Sequence, residues 1–358
     1  ARTWTYDGEE RAFTNLTVEG FVAGEGLAAT TGWATVLTVA DGEVPNAFSY
    51  GLGCDPANYV VTVVTGRLAV VPAPVVPKAP SGPAENPGDE PGAGEGPTLW
   101  ARNVVKVYDG LGTNVLAGVY NAVGGNAFTV EYSVDEVVWA ADLAFTNVVD
   151  AQKVYVRAVP QGDVPNYLPT NGYAYVTITQ RVVSAENGVR AKDATMVYRD
   201  PTTKTELTED WFTGPAAGAL AEGDGIASVK LAYTNEDVLA DLPVAEYAGF
   251  VSTNKDDAVA IVITNSAGED VTANYAMGFT PGKLTVTKSL LTVASAPGTR
   301  TYDGNPTNIV IVSVKDGATD VTDYAVSYRT VGDEGWLDFD DAANWPYVDV
   351  ADSTNVEF

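Results

Sequence analysis

Histidine is absent from the 358 residues. That removes Ser-His-Asp and Cys-His catalysis, histidine base chemistry and histidine-ligated zinc together. Cysteine occurs once, as Cys54, so the chain has no intrachain disulfide and no cysteine-rich metal site. Basic residues are scarce: 20 Lys and Arg stand against 47 Asp and Glu, a net charge of −27. A surface this acidic repels phosphate backbones and anionic lipid heads, which argues against nucleic acid and peripheral membrane partners. No apolar run approaches the ~18 residues of a membrane helix, so no membrane insertion is expected of this segment. The opening Ala1-Arg2-Thr3-Trp4 lacks the basic start and apolar run of a signal peptide.

What is present is a strand vocabulary. Hydrophobic residues make up 46% of the chain, enough for packed cores, and the length suits about two to four domains. The β-branched run Asn58–Val64, a Thr65-Gly66 turn and Arg67–Val71 read as a hairpin. Val154–Val159, Tyr173–Thr179, Ala258–Thr264 and Asn308–Val314 read as further strands. Turn clusters of Gly, Asp, Asn and Pro separate them at short spacing, the pattern of sandwiches rather than βαβ units. The Ala-rich stretch Pro215–Ala221 is interrupted by Gly218 and reads as a loop.

The chain also repeats itself. Tyr6-Asp7-Gly8 recurs as Tyr108-Asp109-Gly110 and Tyr302-Asp303-Gly304, with a degenerate copy at Tyr198-Arg199-Asp200. Each marks a strand end entering a tight turn, where Gly favours the left-handed region. Two kinds of module follow. Type A ends in Asn58-Tyr59 with Gly66-Arg67-Leu68-Ala69-Val70, and again in Asn274-Tyr275 with Gly282-Lys283-Leu284-Thr285-Val286. Type B shares a strand, a charged turn and a tryptophan: Val130–Glu136 to Trp139, and Val326–Gly335 to Trp336. The expected domains are 1–71 (type A), 98–180 (type B), 181–288 (type A) and 289–358 (type B). Between the first two, Pro72–Pro97 holds eight prolines and no aromatic residue, and reads as an extended, semi-rigid linker 72–97 outside any core. Both ends read as cut. The first module lacks a preceding strand, and the last lacks the strand its sister supplies at Tyr173–Thr179. Tyr347, Val348, Val350, Val356 and Phe358 are therefore expected at an open edge, in the least stable module.

These motifs carry a resemblance. The Asn-Tyr…Gly-[Arg/Lys]-Leu-x-Val endings and Val18–Leu27 resemble the MBG repeats of large bacterial surface proteins, and the Tyr-Asp-Gly turns resemble the related YDG repeats. The type B modules resemble companion repeats that alternate with them. The resemblance covers all but the linker. It implies an all-β fold of tandem Ig-like β-sandwich modules in an elongated array, placed in stalks of extracellular, cell-surface adhesins. It implies no catalytic residues.

Candidate chemistry is thin. Forty-seven carboxylates make chance pairs common. Asp338, Asp340 and Asp341 are the candidate calcium ligands, set against a solvated acidic turn; no EF-hand loop is present. Cys54 lies beside Asp55, the wrong charge for a reactive thiol. For an intramolecular isopeptide bond, Lys230 with Asn274, or Lys106, are the donors to consider. Trp139 and Trp336 recur at equivalent places and read as core plugs. Trp4, Trp211 and Trp345 are less constrained, and Trp336–Trp345 is the candidate ligand surface, with Trp336 and Trp345 as stacking residues. The functional expectation is a non-enzymatic stalk that presents an adhesive or other domain away from the cell. The alternative is a module that itself binds host or neighbouring-cell glycans or proteins.

Overall fold

The computed structural model describes the chain except for residues 255–259, 298–300, 306–309, 317–318, 331, 333, 339–355 and 358. The regular structure of the described residues is strand and short 3-10 turn, so the chain is all-β as expected. Among them no helix is long and apolar enough to cross a membrane. Two compact units are present. One comprises residues 1–189, 214–228 and 261–279; the other comprises 190–213, 229–260 and 280–358.

In the first unit, Arg2–Thr5 pairs in parallel with Arg67–Val71, whose other edge takes Val44–Pro45. Leu68 and Val70 point into the core at 1% and 6% exposure, as alternation in a half-buried strand demands. The next sheet runs Val104–Val107, Thr170–Thr179, Val149–Pro160, Phe128–Ser133. Its alternate residues Val154, Val156, Ala158, Ala174, Val176 and Ile178 are all buried. Facing it is a sheet of Val76–Lys78, Thr98–Arg102 and Leu116–Tyr120, with Leu99 and Ala101 in the same core. Further along, Arg181–Val183 pairs in parallel with Tyr275–Met277.

The second unit is built around Gly282–Thr287, flanked by Ala194–Val197 in parallel and Glu246–Thr253 antiparallel. Leu284, Val286, Met196 and Val251 fill its core. Leu291–Pro297 pairs with Val310–Asp316, and Ser327–Thr330 pairs with Leu337–Asp338 and Val356–Glu357.

One construction recurs in three blocks. The strand leading to each tyrosine turn lies parallel to the strand that closes its block: 2–5 with 67–71, 104–107 with 170–179, and 194–197 with 282–287. Beyond it, the tyrosine N–H of Tyr6, Tyr108 and Tyr198 donates to the carbonyls of Val71, Thr179 and Thr287, each at 2.9 Å. The block read as type B thus shares its frame with those read as type A.

Three sequence expectations are corrected. Asn58–Val64 forms no strand: Pro56–Asn58 is a 3-10 turn, and Val60 is 99% exposed. Both edges of Arg67–Val71 are already occupied, so a hairpin partner has no place to bond. Gly66 serves close approach rather than a turn, because a Cβ there would lie 2.8 Å from the Ala1 nitrogen. Pro72–Pro97 is not a linker outside a core. Ala73 and Val75 are buried, Val76–Lys78 pairs in parallel with Thr98–Arg102, and Lys78 reaches Glu95. Buried Asn103 organises the rest. Its amide nitrogen is shared among the carbonyls of Gly82, Pro83 and Glu85 at 2.8–3.0 Å, and its oxygen accepts the Tyr175 N–H at 2.8 Å. Trp139 and Trp336 are not core plugs. Trp139 is half-buried under the Arg157 guanidinium, 4.3 Å from its ring, and Trp336 is 52% exposed with Arg329 at 4.8 Å. Arginine stacking lets each ring stay at the surface. Tyr347, Val348, Val350 and Phe358 lie outside the described residues, as does the side chain of Val356.

Replacing Asn103 with alanine strands the Tyr175 N–H and the carbonyls it gathers, at a cost of about 1–3 kcal/mol. Thermal melting should fall accordingly. Limited proteolysis should show new cleavage between Lys78 and Pro97, most directly by a glutamyl endopeptidase at Glu85 or Glu90; a variant as resistant as the parent would contradict this role.

Candidate functional site

The Tyr-Asp-Gly turns divide their work by residue. Asp accepts the N–H two positions on: Glu9 to Asp7 at 3.0 Å, Leu111 to Asp109 at 2.9 Å and Asn305 to Asp303 at 3.0 Å. Arg11 beside Asp7, and Lys106 beside Asp109, hold those carboxyls below the usual range. Gly takes φ of 81°, 78° and 74° at Gly8, Gly110 and Gly304, where a Cβ costs about 1–2 kcal/mol. In the degenerate copy the turn comes one residue early, with Arg199 itself at φ 58°.

The tyrosine is a plug. Tyr6 and Tyr108 are 6% and 2% exposed, and each enters a socket in the block that follows. In the first junction the Tyr6 ring meets Tyr167 edge-on, 5.4 Å between centroids. The Tyr167 hydroxyl accepts the Val123 N–H at 2.8 Å, and Asn126 donates to the Tyr6 hydroxyl at 3.3 Å. In the second junction Tyr108 meets Tyr275 edge-on at 5.3 Å. The Tyr275 hydroxyl accepts the Ala221 N–H at 2.8 Å, and both phenols donate to Asp224, at 2.6 and 3.0 Å. The glycines complete the fit: a Cβ on Gly8 would lie 2.8 Å from the Val123 side chain, and one on Gly110 would lie 3.5 Å from that of Ala221.

A second bond reaches back across each junction. Asn166 accepts the Val39 N–H at 2.9 Å, and Asn274 accepts the Val148 N–H at 2.8 Å while donating to Asn147. The entering chain bonds beside the same residues, Ala73 with Asn166 and Leu168, and Arg181 with Tyr275.

Each socket is thus three groups: the tyrosine of an Asn-Tyr pair, a backbone N–H, and an acid or amide three residues after that N–H. The turn holding the last two carries a glycine at positive φ, Gly125 at 67° and Gly223 at 87°. Asn166-Tyr167 escaped the sequence reading because the strand after it lacks the Gly-[Arg/Lys]-Leu ending of the other pairs. The readable signal was the threefold pattern Val22-Ala23-Gly24-Glu25, Val123-Gly124-Gly125-Asn126 and Ala221-Glu222-Gly223-Asp224.

Of the residues singled out from sequence, the structure describes only some. Asp338 is exposed in a short strand; Asp340, Asp341 and Trp345 lie outside the described residues. Among the described residues, no three metal-ligating side chains cluster. Lys106 is engaged by Asp109 and the Leu111 carbonyl, and Asn274 by the junction. Burial and the nearby Glu25 and Asp55 push the Cys54 thiol up, away from reactivity.

No family model matches the chain, and no curated protein matches it. Among solved structures, one similar chain is the Bacteroides ovatus mixed-linkage glucan utilization locus SGBP-B in complex with a mixed-linkage heptasaccharide. Identity is 8% and the TM-score 0.16, over 65% of this chain and 64% of that one, so this chain spans less than two thirds of its length. A superposition that loose says nothing about the site.

Two outcomes test the junction chemistry. Tyr275→Phe removes the acceptor of the buried Ala221 N–H and one donor to Asp224, and should cost about 1–3 kcal/mol in unfolding. Tyr108→Phe should cost less, and the double variant less than the sum, because both act on Asp224. Burial first, then for Tyr108 and Tyr275 the Asp224 carboxylate, pushes Tyr108, Tyr167 and Tyr275 above the ordinary tyrosine value of 10.0. The unfolded chain therefore loses these protons at lower pH than the folded one, so their contribution is complete below pH 10 and declines above it. Tyrosinate absorbance should show a class of residues that ionises only together with alkaline unfolding.

Proposed function

We propose that the chain is a run of Ig-like β-sandwich repeats of the MBG and YDG type, serving as a spacer in an extracellular bacterial surface protein. In this reading it holds an adhesive or other functional domain away from the cell and carries out no catalysis. Contact with host or neighbouring-cell glycans or proteins is then made by the protein as a whole. The observation that supports it is the tyrosine junction, built twice in succession with the same edge-on ring pair and the same backbone N–H accepted by the socket phenol (Tyr6 into Tyr167, Tyr108 into Tyr275). A spacer works by fixing the angle between neighbouring blocks, and a buried, hydrogen-bonded plug resists bending in every direction.

The alternative, a repeat that itself binds glycan, asks for an aromatic cluster in one copy that its sister lacks. Trp139 and Trp336 go the other way, since Arg157 over the first is matched by Arg329 over the second.

Spin labels at Glu9 and Asp135, in a Cys54→Ser background, should give one narrow distance that Tyr6→Ala broadens severalfold. The chain should be retained on no glycan array. A broad distance in the parent chain, or glycan retention that Trp336→Ala abolishes, would overturn the spacer reading in favour of a binding module.

A further inference from the structure

The first block carries the socket too. The Tyr59 hydroxyl accepts the Val22 N–H at 3.2 Å and donates to Glu25. The turn between them matches the second filled socket: Glu25 N–H bonds to the Val22 carbonyl at 3.0 Å, as Asp224 does to Ala221 at 3.1 Å, and Gly24 sits at φ 90° where Gly223 sits at 87°. What differs is exposure. Val22, at the place Val123 and Ala221 hold under Gly8 and Gly110, is 67% exposed, against 42% for Val123 and 6% for Ala221. Among the described residues, the Tyr59 ring meets Phe21 and no second tyrosine. A groove of about 470 Å³ opens beside it, lined by Phe21, Tyr59, Val60 and Val61.

The chain also carries a plug that is largely exposed. The Tyr302 turn has the same Asp303 bond and the same left-handed Gly304 as the inserted plugs, yet Tyr302 is 59% exposed where Tyr6 and Tyr108 are 6% and 2%. We propose that the Val22–Glu25–Tyr59 socket of one copy takes the Tyr302 turn of a second copy. The Tyr302 ring would stand edge-on to Tyr59, and Gly304 would close over Val22. The Tyr302 phenol would donate to Glu25, whose carboxylate has lone pairs for two phenols, as Asp224 shows. The contact is head to tail and uses different surfaces on the two copies, so it need not close and would extend with concentration.

The inference rests on the junction that also supports the spacer reading, and the test separates them. Sedimentation velocity of the full chain, from about 1 μM to about 1 mM, covers the range of a contact worth roughly 4–8 kcal/mol. The sedimentation coefficient should climb with concentration. Tyr302→Ala, Tyr59→Ala or Val22→Glu should each hold the chain monomeric; the last alters only an exposed side chain, so folding is retained. Glu25→Gln should weaken assembly about tenfold, the loss of roughly one charge-assisted hydrogen bond. Mixing the Tyr302→Ala chain with the Val22→Glu chain should restore a pair and stop there. A parent chain monomeric at about 1 mM, assembly indifferent to these substitutions, or mixtures that grow past the pair would overturn the proposal. Assembly lost in Val22→Glu but kept in Tyr302→Ala would mean another segment fills the socket, and would overturn the assignment of Tyr302. If any of these occurs while Tyr6→Ala still loosens the first internal junction, the docking falls and the spacer reading stands.

Discussion

A phenol taken out of water must bring a partner for its hydroxyl, and the joints of this protein are organised by that requirement. Tyr6, Tyr108, Tyr167 and Tyr275 are all buried, and every hydroxyl among them is bonded, to Asn126, Asp224, Val123 N–H or Ala221 N–H. The ring supplies apolar area and edge-on contact worth about 0.5–1.5 kcal/mol, while the hydroxyl fixes direction. A leucine in the same place would bury area without specifying an angle. The turn glycines, the capping aspartates and the reaching asparagines are all placed to let that ring arrive and be met.

The all-β class and the repeat were legible, because alternation, β-branched runs and Tyr-Asp-Gly are local properties of the chain. The role of the motif was not. Sequence shows a turn; only packing shows that Tyr6 and Tyr108 leave their own block to complete the next one. The strand expected over Asn58–Val64 failed for a similar reason. Its propensity is real, but Arg67–Val71 already had Arg2–Thr5 and Val44–Pro45 on its edges, a fact set by residues far away in sequence.

Composition misled most in Pro72–Pro97. So few large apolar side chains argue against a core, yet a single buried amide, Asn103, gathers three of its carbonyls. The tryptophans mislead in the opposite sense: recurrence of Trp139 and Trp336 suggests burial, whereas what recurs is an arginine laid over each ring. Recurrence in a repeat marks whatever every copy needs, at the surface as well as inside.

The parallel pairing of entering and closing strands has a mechanical meaning. When a pull enters at Arg2–Thr5 and leaves at Arg67–Val71, the tension runs along both strands in opposite senses. Their ladder is then loaded in shear, so its bonds share the tension and must fail together rather than one after another. The same holds for 104–107 against 170–179 and 194–197 against 282–287. A pull applied along the chain would reach each of the three blocks in this shear geometry, at the two strands through which the chain enters and leaves it.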